Sequence, residues 1–413
     1  MSAVTLTVHR STQEIGGNCI ELAAGGHRLV LDVGRPLDAP SEAPGLIPAT
    51  LDLTAPDTSV LISHPHQDHY GLLEETPETW PVYSGIATER LIRLTAAIFG
   101  KSIERTFRHW APGAVTPIGP FRVVPWLTDH SAFDAHMLQI DVLGRRILYS
   151  GDFRQHGRKA ALVQRMMQEP PEGVDVLLME GTNLGTNKPS RTEAALEADF
   201  IELFRTTPGR VFVAWSAQNV DRTVTLYRAA LQTGRTLVVD LYTAEVMRAL
   251  SDFGRLPQPD WSRVKVVVTS SLARMYRRRG DDAFVDRMVG NGISARRLAQ
   301  DCAKWVVMVR PSLARDYGRA GVMPTHEDAW SYSQWSGYLK AADGQALQAW
   351  FNDGGARACH IHTSGHASPA DLRVFANAVS PKALVPIHGV SWDDEQEGFP
   401  PILRIRDGEP LAL

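Results

Sequence analysis

The stretch His64-Pro65-His66-Gln67-Asp68-His69 decides both the fold and the chemistry that this sequence predicts. It directly follows a short apolar run, residues 60–63, of the kind typical of a buried strand. A tight turn after a strand lets alternating side chains converge, so that imidazoles and a carboxylate can point into one cavity. Neutral imidazole and carboxylate oxygens are good zinc ligands, and such a dense group of them rarely serves packing. The motif therefore predicts a metal site at the end of a strand.

Further residues of metal-binding type stand just past other short apolar runs. These are His130, Asp152 and His388. Taken alone, each is as consistent with an ordinary turn residue as with a ligand. Together with the first motif, they supply the groups that two metal ions need. Two metals about 3.5–4 Å apart can lower the pKa of a bridging water toward neutrality, so the pattern predicts a hydrolase without naming its substrate.

The apolar runs before about residue 180 are short and rich in Val, Ile and Leu, which predicts strands buried in a sheet. Ser190 and Glu193 form a capping box that predicts the start of a long helix. Strands and helices then alternate, which indicates a separate module with a parallel sheet. Its second helix is expected to carry Val220, Val224, Tyr227 and Leu231 on one face.

Composition limits the classes of protein that fit. The 413 residues have a formal net charge of -3, which argues against a protein that coats nucleic acid nonspecifically. The three cysteines are far apart, so neither a disulfide framework nor a thiolate metal site is expected. The first residues lack the apolar core of a signal peptide, and no run approaches the ~20 apolar residues of a membrane span. We therefore expect a cytoplasmic protein with no membrane partner.

The order of the metal-binding motifs resembles the metallo-β-lactamase superfamily in its binuclear form. The resembling pattern is HxHxDH, a lone His, Gly151-Asp152 and a late His388-Gly389. The resemblance implies two Zn²⁺ ions, with Mn²⁺ as the alternative metal. It implies that one ion is held by His64, His66 and His130, that the other is held by Asp68, His69 and His388, and that Asp152 bridges them. Asp32 matches an early aspartate that supports the histidine loop.

Three further motifs resemble motifs A, B and C of the β-CASP nucleases. They are centred on Glu180, on His366 within Ser364-Gly-His-Ala-Ser368, and on His388, and together they look like ribonuclease J. The implied fold is α/β, a metallo-β-lactamase αββα sandwich with an inserted α/β β-CASP domain. The expected boundaries are 1–187 for the first part of the metallo-β-lactamase domain, 188–354 for the β-CASP domain and 355–413 for the C-terminal part.

The implied function is metal-dependent hydrolysis of single-stranded RNA, by endonuclease or 5′–3′ exonuclease action, leaving 5′-phosphate and 3′-hydroxyl ends. The implied catalytic residues are Asp68, His366 and Glu180. Phosphodiester cleavage leaves an alkoxide that needs a proton, and a histidine kept charged by Glu180 can supply it. A helix that begins near Ser368 attracts phosphate. The expected phosphate contacts are Ser364, His366, Ala367 and Ser368.

Several alternatives stay open at this level. A DNA nuclease of the same superfamily, a small-molecule metallo-hydrolase and an RNA-binding subunit without activity are the rival functions. The additional C-terminal domain of typical ribonuclease J is not expected, so the oligomeric state is open, a homodimer included. The basic run at residues 274–279 is as consistent with a solvated helix face as with an RNA contact. The aromatic run at residues 330–338 could stack bases, but packing of the domains is the favoured interpretation.

Overall fold

The computed structural model describes residues 4–40, 43–187 and 190–413. The chain divides into two compact units, one made of residues 1–190 and 365–413 and the other of residues 191–364. The expected boundary between 187 and 188 falls at residues 188 and 189, which lie outside the described residues.

The strands, in chain order, are β1 (Thr5–Arg10), β2 (Cys19–Ala24), β3 (His27–Val33), β4 (Thr58–Leu61), β5 (Val82–Ser84), β6 (Phe107–His109), β7 (Thr116–Ile118), β8 (Phe121–Leu127), β9 (His136–Val142), β10 (Arg145–Tyr149), β11 (Val176–Met179), β12 (Val211–Ala214), β13 (Thr236–Asp240), β14 (Val264–Val267), β15 (Trp305–Met308), β16 (Ala329–Tyr332), β17 (Arg357–Cys359), β18 (Ala383–Pro386) and β19 (Pro410–Ala412). The helices are α1 (Gln67–Tyr70), α2 (Ile86–Ile98), α3 (Ala160–Gln168), α4 (Glu193–Thr206), α5 (Val220–Thr233), α6 (Leu241–Ala249), α7 (Ser270–Arg278), α8 (Asp282–Asn291), α9 (Pro311–Arg319), α10 (Ala342–Asp353) and α11 (Pro369–Val379). None of the helices among the described residues is both long and apolar enough to span a bilayer.

The first unit is a sandwich of two sheets. The first sheet has the strand order β19-β1-β2-β3-β4-β5-β6 and the second has the order β18-β11-β10-β9-β8-β7. Fully buried side chains from both sheets, such as Leu22 and Leu31 from the first and Ile140 and Leu178 from the second, form one core between them. Apolar side chains on the other face of each sheet pack against helices, including Ile92 of α2 on the first sheet. The predicted αββα sandwich is therefore confirmed.

Helices also cover the outer face of the second sheet. Val163 of α3 and Phe375 of α11 pack in one buried cluster with Leu148 and Leu177 of the sheet. Helix α11 begins as its sequence predicts, because the Ser368 hydroxyl accepts from the Asp371 N–H and Pro369 occupies the first turn.

The second unit contains one sheet with the strand order β14-β13-β15-β12-β16-β17. Its paired strands are parallel throughout, as the strand–helix alternation predicts. The unit extends to Ser364, beyond the expected boundary at 354, because β17 pairs with β16 of the same sheet. Helix α4 begins later than expected, since Thr192 rather than Ser190 accepts from the Ala195 N–H.

The sandwich brings the ligand-bearing loops to one edge. Strands β10, β11 and β18 are parallel neighbours, so the residues that follow them, Asp152, Glu180 and His388, leave the sheet on the same side. Strand β8 points the same way as β10 because each is antiparallel to β9 between them, and His130 follows β8. In the other sheet, β4 is parallel to β3 and leads into the His64 loop.

Candidate metal centre

Three imidazoles form the first group of candidate ligands. His66 Nδ1 lies 3.2 Å from His64 Nε2 and 3.2 Å from His130 Nε2. The three nitrogens therefore converge on one point, where a metal ion could be held. Burial lowers the pKa of His64 and His130 well below the ordinary value and lowers that of His66 to about 4. The three rings are thus held in the neutral form that metal ligation requires.

A second group combines two carboxylates and two imidazoles, namely Asp68, His69, Asp152 and His388. Asp152 Oδ2 lies 3.0 Å from His69 Nε2 and 3.8 Å from His388 Nε2. The same oxygen is 3.6 Å from His64 Nε2, an atom of the first group. Asp152 therefore stands between the two groups, where a bridging carboxylate is expected.

Two polar atoms test whether these residues suit a metal. Asp152 Oδ1 and His388 Nε2 are buried and, among the described residues, have no hydrogen-bond partner. A buried polar atom without a partner is costly, so such atoms are rare unless they meet water or an ion. The donor set of imidazole nitrogens and carboxylate oxygens is the one that zinc and similar ions prefer. The residues fit a pair of divalent metal ions.

His69 is a buried imidazole surrounded by carboxylates. Burial lowers the pKa of His69, but Asp152 and Asp32 outweigh it and raise the pKa well above the ordinary value. The carboxylates therefore favour the protonated form of His69. Metal binding to the same atoms would release that proton.

Asp32 orients the histidine loop from beneath. Its carboxylate accepts hydrogen bonds from the Ser63 N–H at 2.7 Å and from His69 Nδ1 at 2.7 Å. The Tyr149 hydroxyl donates to the same carboxylate at 2.5 Å. Asp32 adopts a φ of 57°, which is strained for this residue and held by those partners. These contacts support the expected supporting role, because the outer hydrogen bond of a ligating histidine fixes its ring and tautomer.

Asn18 was not found from the sequence, although it holds a candidate ligand. Asn18 Oδ1 lies 2.7 Å from His388 Nδ1, and the Asn18 side-chain amide donates to the Tyr149 hydroxyl at 3.1 Å. Asn18 and Tyr149 thereby connect His388 to Asp32 by buried hydrogen bonds. The sequence signal at Asn18 is the Gly16-Gly17 pair before it, which predicts a turn but no role.

Gly34 leaves the space through which the Asp68 loop passes. A methyl group at Gly34 would lie 1.7 Å from the Asp68 carbonyl oxygen and 2.8 Å from the Asn18 nitrogen. Both neighbours are backbone atoms, and the Asn18 N–H donates to the same Asp68 carbonyl at 3.1 Å. The loop can therefore not move aside without losing its own hydrogen bond.

We expect Gly34→Ala to lower the free energy of unfolding by about 3 kcal/mol and to reduce the bound metal, because Asp68 must shift. Calorimetry and elemental analysis measure both effects. Gly290→Ala is the matched control, since a methyl group there meets nothing within 4 Å. Equal melting temperatures for the two variants would contradict the steric argument.

Glu180, which is buried, and His366, which is partly buried, form a pair beside the ligand groups. Glu180 Oε2 lies 3.0 Å from His366 Nδ1. The other oxygen, Glu180 Oε1, accepts a hydrogen bond from the Phe153 N–H at 3.0 Å. The Thr182 hydroxyl donates to Glu180 Oε2 at 2.7 Å, which fixes the carboxylate further. Burial lowers the pKa of His366, but the carboxylates of Glu180 and Asp152 outweigh it and raise the pKa to about 9. His366 thus adjoins the metal centre as an imidazole that readily holds a proton.

His366 also forms a third group with His130 and Asp152 that could hold a metal ion. Its Nδ1 is 3.8 Å from Asp152 Oδ2 but only 3.0 Å from Glu180. The closer carboxylate favours the Glu180 pair over ligation. His366 is 20% exposed at the side chain, whereas His64 and His388 are fully buried, so His366 can reach a substrate.

The residues expected to contact phosphate differ in the hydrogen-bond donors that they have available. The Ala367 N–H donates to the Phe153 carbonyl at 2.6 Å and its methyl group is buried, so its donor is already paired and its phosphate contact stays a prediction. The Ser368 hydroxyl accepts from the Asp371 N–H at 3.1 Å as the helix cap but keeps a proton to donate. Ser364 is the last residue of the second unit, and its contact stays a prediction.

The comparisons with known proteins agree with this centre. Residues 13–196 match the family model described as the metallo-beta-lactamase superfamily. Ribonuclease J of Sinorhizobium meliloti is 24% identical over 94% of this chain and 70% of its own length. Ribonuclease J of Mycobacterium tuberculosis is 25% identical over 92% of this chain and 67% of its own length. A crystal structure of a protein of unknown function from Enterococcus faecalis V583 has the same fold, with a TM-score of 0.83, 19% identity and full coverage of both chains.

The fold and the ligand groups are those of a metal-dependent hydrolase, and residues 13–196 match the metallo-beta-lactamase superfamily. Over more than nine tenths of its length, the chain is similar to ribonuclease J.

Proposed function

We propose that this chain is a zinc-dependent ribonuclease that hydrolyses phosphodiester bonds in single-stranded RNA. The observation that carries the proposal is the Glu180–His366 pair beside the two ligand groups. A metal centre alone suits a β-lactam or a thioester as well as a phosphodiester. A partly buried imidazole that retains a proton suits a reaction whose leaving group is an alkoxide. The similarity to ribonuclease J over nearly the whole chain supports the same substrate.

Each residue has a role in this proposal. His64, His66 and His130 would hold one Zn²⁺, Asp68, His69 and His388 the other, with Asp152 between them. Two divalent ions, when bound, supply Lewis acidity and ionise water near neutral pH. Asp68, 13% exposed at its side chain, is the ligand carboxylate that can also orient the attacking water.

His366 would donate the proton to the leaving oxygen. Glu180 occupies its Nδ1, so Nε2 is the ring nitrogen that faces this task. Protonation of the 3′ oxygen leaves a 3′-hydroxyl, and addition of water to phosphorus leaves a 5′-phosphate. Ser368, through its remaining hydroxyl proton, and Ser364 are the proposed phosphate contacts. The second unit is proposed to be the β-CASP domain that receives the RNA strand. A homodimer and a cytoplasmic location stay predictions.

The test compares substrates on the purified full chain loaded with Zn²⁺ or Mn²⁺. We expect cleavage of 5′-labelled single-stranded RNA, loss of cleavage with chelator, and recovery when metal is restored. Mononucleotide products would indicate 5′–3′ exonuclease action, and a ladder of internal fragments would indicate endonuclease action. DNA cleavage with RNA intact, turnover of nitrocefin with RNA intact, or RNA binding without any cleavage would each contradict the proposal and point to one rival function.

A further inference from the structure

The aromatic run between Trp330 and Tyr338 divides into a packed part and an exposed part. Trp330 is buried and stacks on Phe351, with ring centroids 4.5 Å apart and planes 8° apart. Trp335 and Tyr338, by contrast, are 59% and 56% exposed. Among the tryptophans that the structure describes, Trp335 is the only exposed one. Packing in the core therefore explains Trp330, but it does not explain why Trp335 and Tyr338 are aromatic.

The two exposed rings are held in place. They belong to a short 3₁₀ turn, in which the Tyr338 N–H donates to the Trp335 carbonyl at 3.2 Å. The indole lies so close over Gly337 that a methyl group at Gly337 would be 2.3 Å from Trp335 Cη2. Trp335 and Tyr338 meet edge to face, with centroids 5.3 Å apart and an angle of 88°. Each ring thus keeps its position although much of its surface faces solvent.

The Trp335–Tyr338 pair lies just past the end of a strand in the parallel sheet of the second unit. Trp335 follows β16, so the pair lies at the carboxyl edge of the parallel sheet, where ligands of open α/β sheets bind. The end of β16 is fixed by Ser333, whose N–H donates to the Ala214 carbonyl at 2.8 Å and whose hydroxyl donates to the Ile361 carbonyl at 2.5 Å. The rings are therefore presented from a rigid strand end.

The chemistry of the surroundings favours planar polyanionic ligands over an aliphatic protein surface. The neighbours Gln334, Ser336 and Lys340 are polar or basic, and Ser336 and Lys340 are exposed. Exposed aromatic rings can stack on bases of any sequence, and a nearby cation such as Lys340 attracts the phosphate backbone.

We propose that Trp335 and Tyr338 form a stacking platform for bases of single-stranded RNA. This inference rests on the proposed function and adds to it a contact outside the metal centre. Because stacking reads no base edge, the platform gives affinity without sequence preference.

The test measures binding of a 5′-fluorescein 20-nucleotide RNA by anisotropy, in metal-loaded protein on a His366→Ala background. We expect Trp335→Ala and Tyr338→Ala each to weaken binding at least about fivefold, because stacking is lost. Trp335→Phe should retain most of the affinity. Phe253→Ala is the matched control, since Phe253 is another exposed aromatic of the same unit, at 38%, and should leave binding unchanged.

An abasic oligonucleotide of the same length separates stacking from a structural effect. Stacking predicts that the abasic strand binds the parent and Trp335→Ala alike. If Trp335→Ala weakens binding of the abasic strand as much as binding of the normal strand, the platform is overturned. It is also overturned if Trp335→Ala leaves RNA affinity unchanged but alters the oligomeric mass, because the rings would then form a protein contact. If the wild-type chain does not cleave RNA, the proposed function fails. If it cleaves RNA and Trp335→Ala binds normally, only the platform fails.

Discussion

Replacing Asp152 with asparagine is expected to lower the rate of hydrolysis by about 10⁴-fold or more, a loss typical of central catalytic groups. Asp152 Oδ2 lies within 3.8 Å of imidazole nitrogens from both ligand groups. An asparagine of the same shape lacks the negative charge that holds two cations close together. The variant should also bind at most one metal ion per chain.

Elemental analysis and cleavage assays on the same preparation measure the two losses together. Asp141→Asn is the matched control. Asp141 is a carboxylate of β9 in the same sheet, and it pairs with Arg146 at 2.6 Å rather than with a candidate ligand. The control should keep full metal content and activity. Two tightly bound ions in Asp152→Asn would show that the carboxylate does not bridge them.

Replacing His366 with alanine is expected to lower cleavage by about 10²- to 10⁴-fold while both metals stay bound. The reason is the pairing of His366 Nδ1 with Glu180 at 3.0 Å, which gives the ring a proton-transfer role rather than a ligand role. Glu180→Gln should cause a smaller loss, because it keeps a hydrogen-bond acceptor for the ring but removes the charge. RNA with a better leaving group at the scissile 3′ oxygen should recover part of the activity of His366→Ala.

The surface pair of His109 and Glu89, 2.5 Å apart, offers a matched control in the same unit. His109→Ala removes a histidine from a carboxylate partner without touching the metal centre, so cleavage should be unchanged. A fall in metal content in His366→Ala would contradict the proton-donor role. It would instead assign His366 to the third group of candidate ligands, with His130 and Asp152.

Local patterns predicted the strand ends that carry the ligands, whereas the sandwich was implied by the resemblance of the motifs to the metallo-β-lactamase superfamily. A short apolar run followed by His64, His130, Asp152 or His388 marks a strand end, and parallel strands bring such ends to one edge. Asn18 and Tyr149 were missed for the opposite reason. Their hydrogen bonds join positions far apart in the chain, and neither residue type signals a metal site by itself.

Helix α5 shows where periodicity alone misleads. Helical spacing places Val220, Val224, Tyr227 and Leu231 on one face, but Leu231 is 50% exposed. The helix instead buries Leu226, Ala229 and Ala230 against its unit. The small alanine side chains let α5 pack closely against the rest of its unit. The buried face of the helix therefore differs from the face with the larger apolar side chains. Ala367 is a similar case, since its N–H is used by Phe153, a partner that no local pattern identifies.

The last segments of the chain supply an edge strand to each sheet of the first unit, β18 beside β11 and β19 beside β1. His388 follows β18, so the metal centre also depends on them. During translation, residues 191–364 emerge and can fold before any of these pieces exist. A nascent chain therefore lacks one candidate ligand of the metal centre until residue 388 has been synthesised.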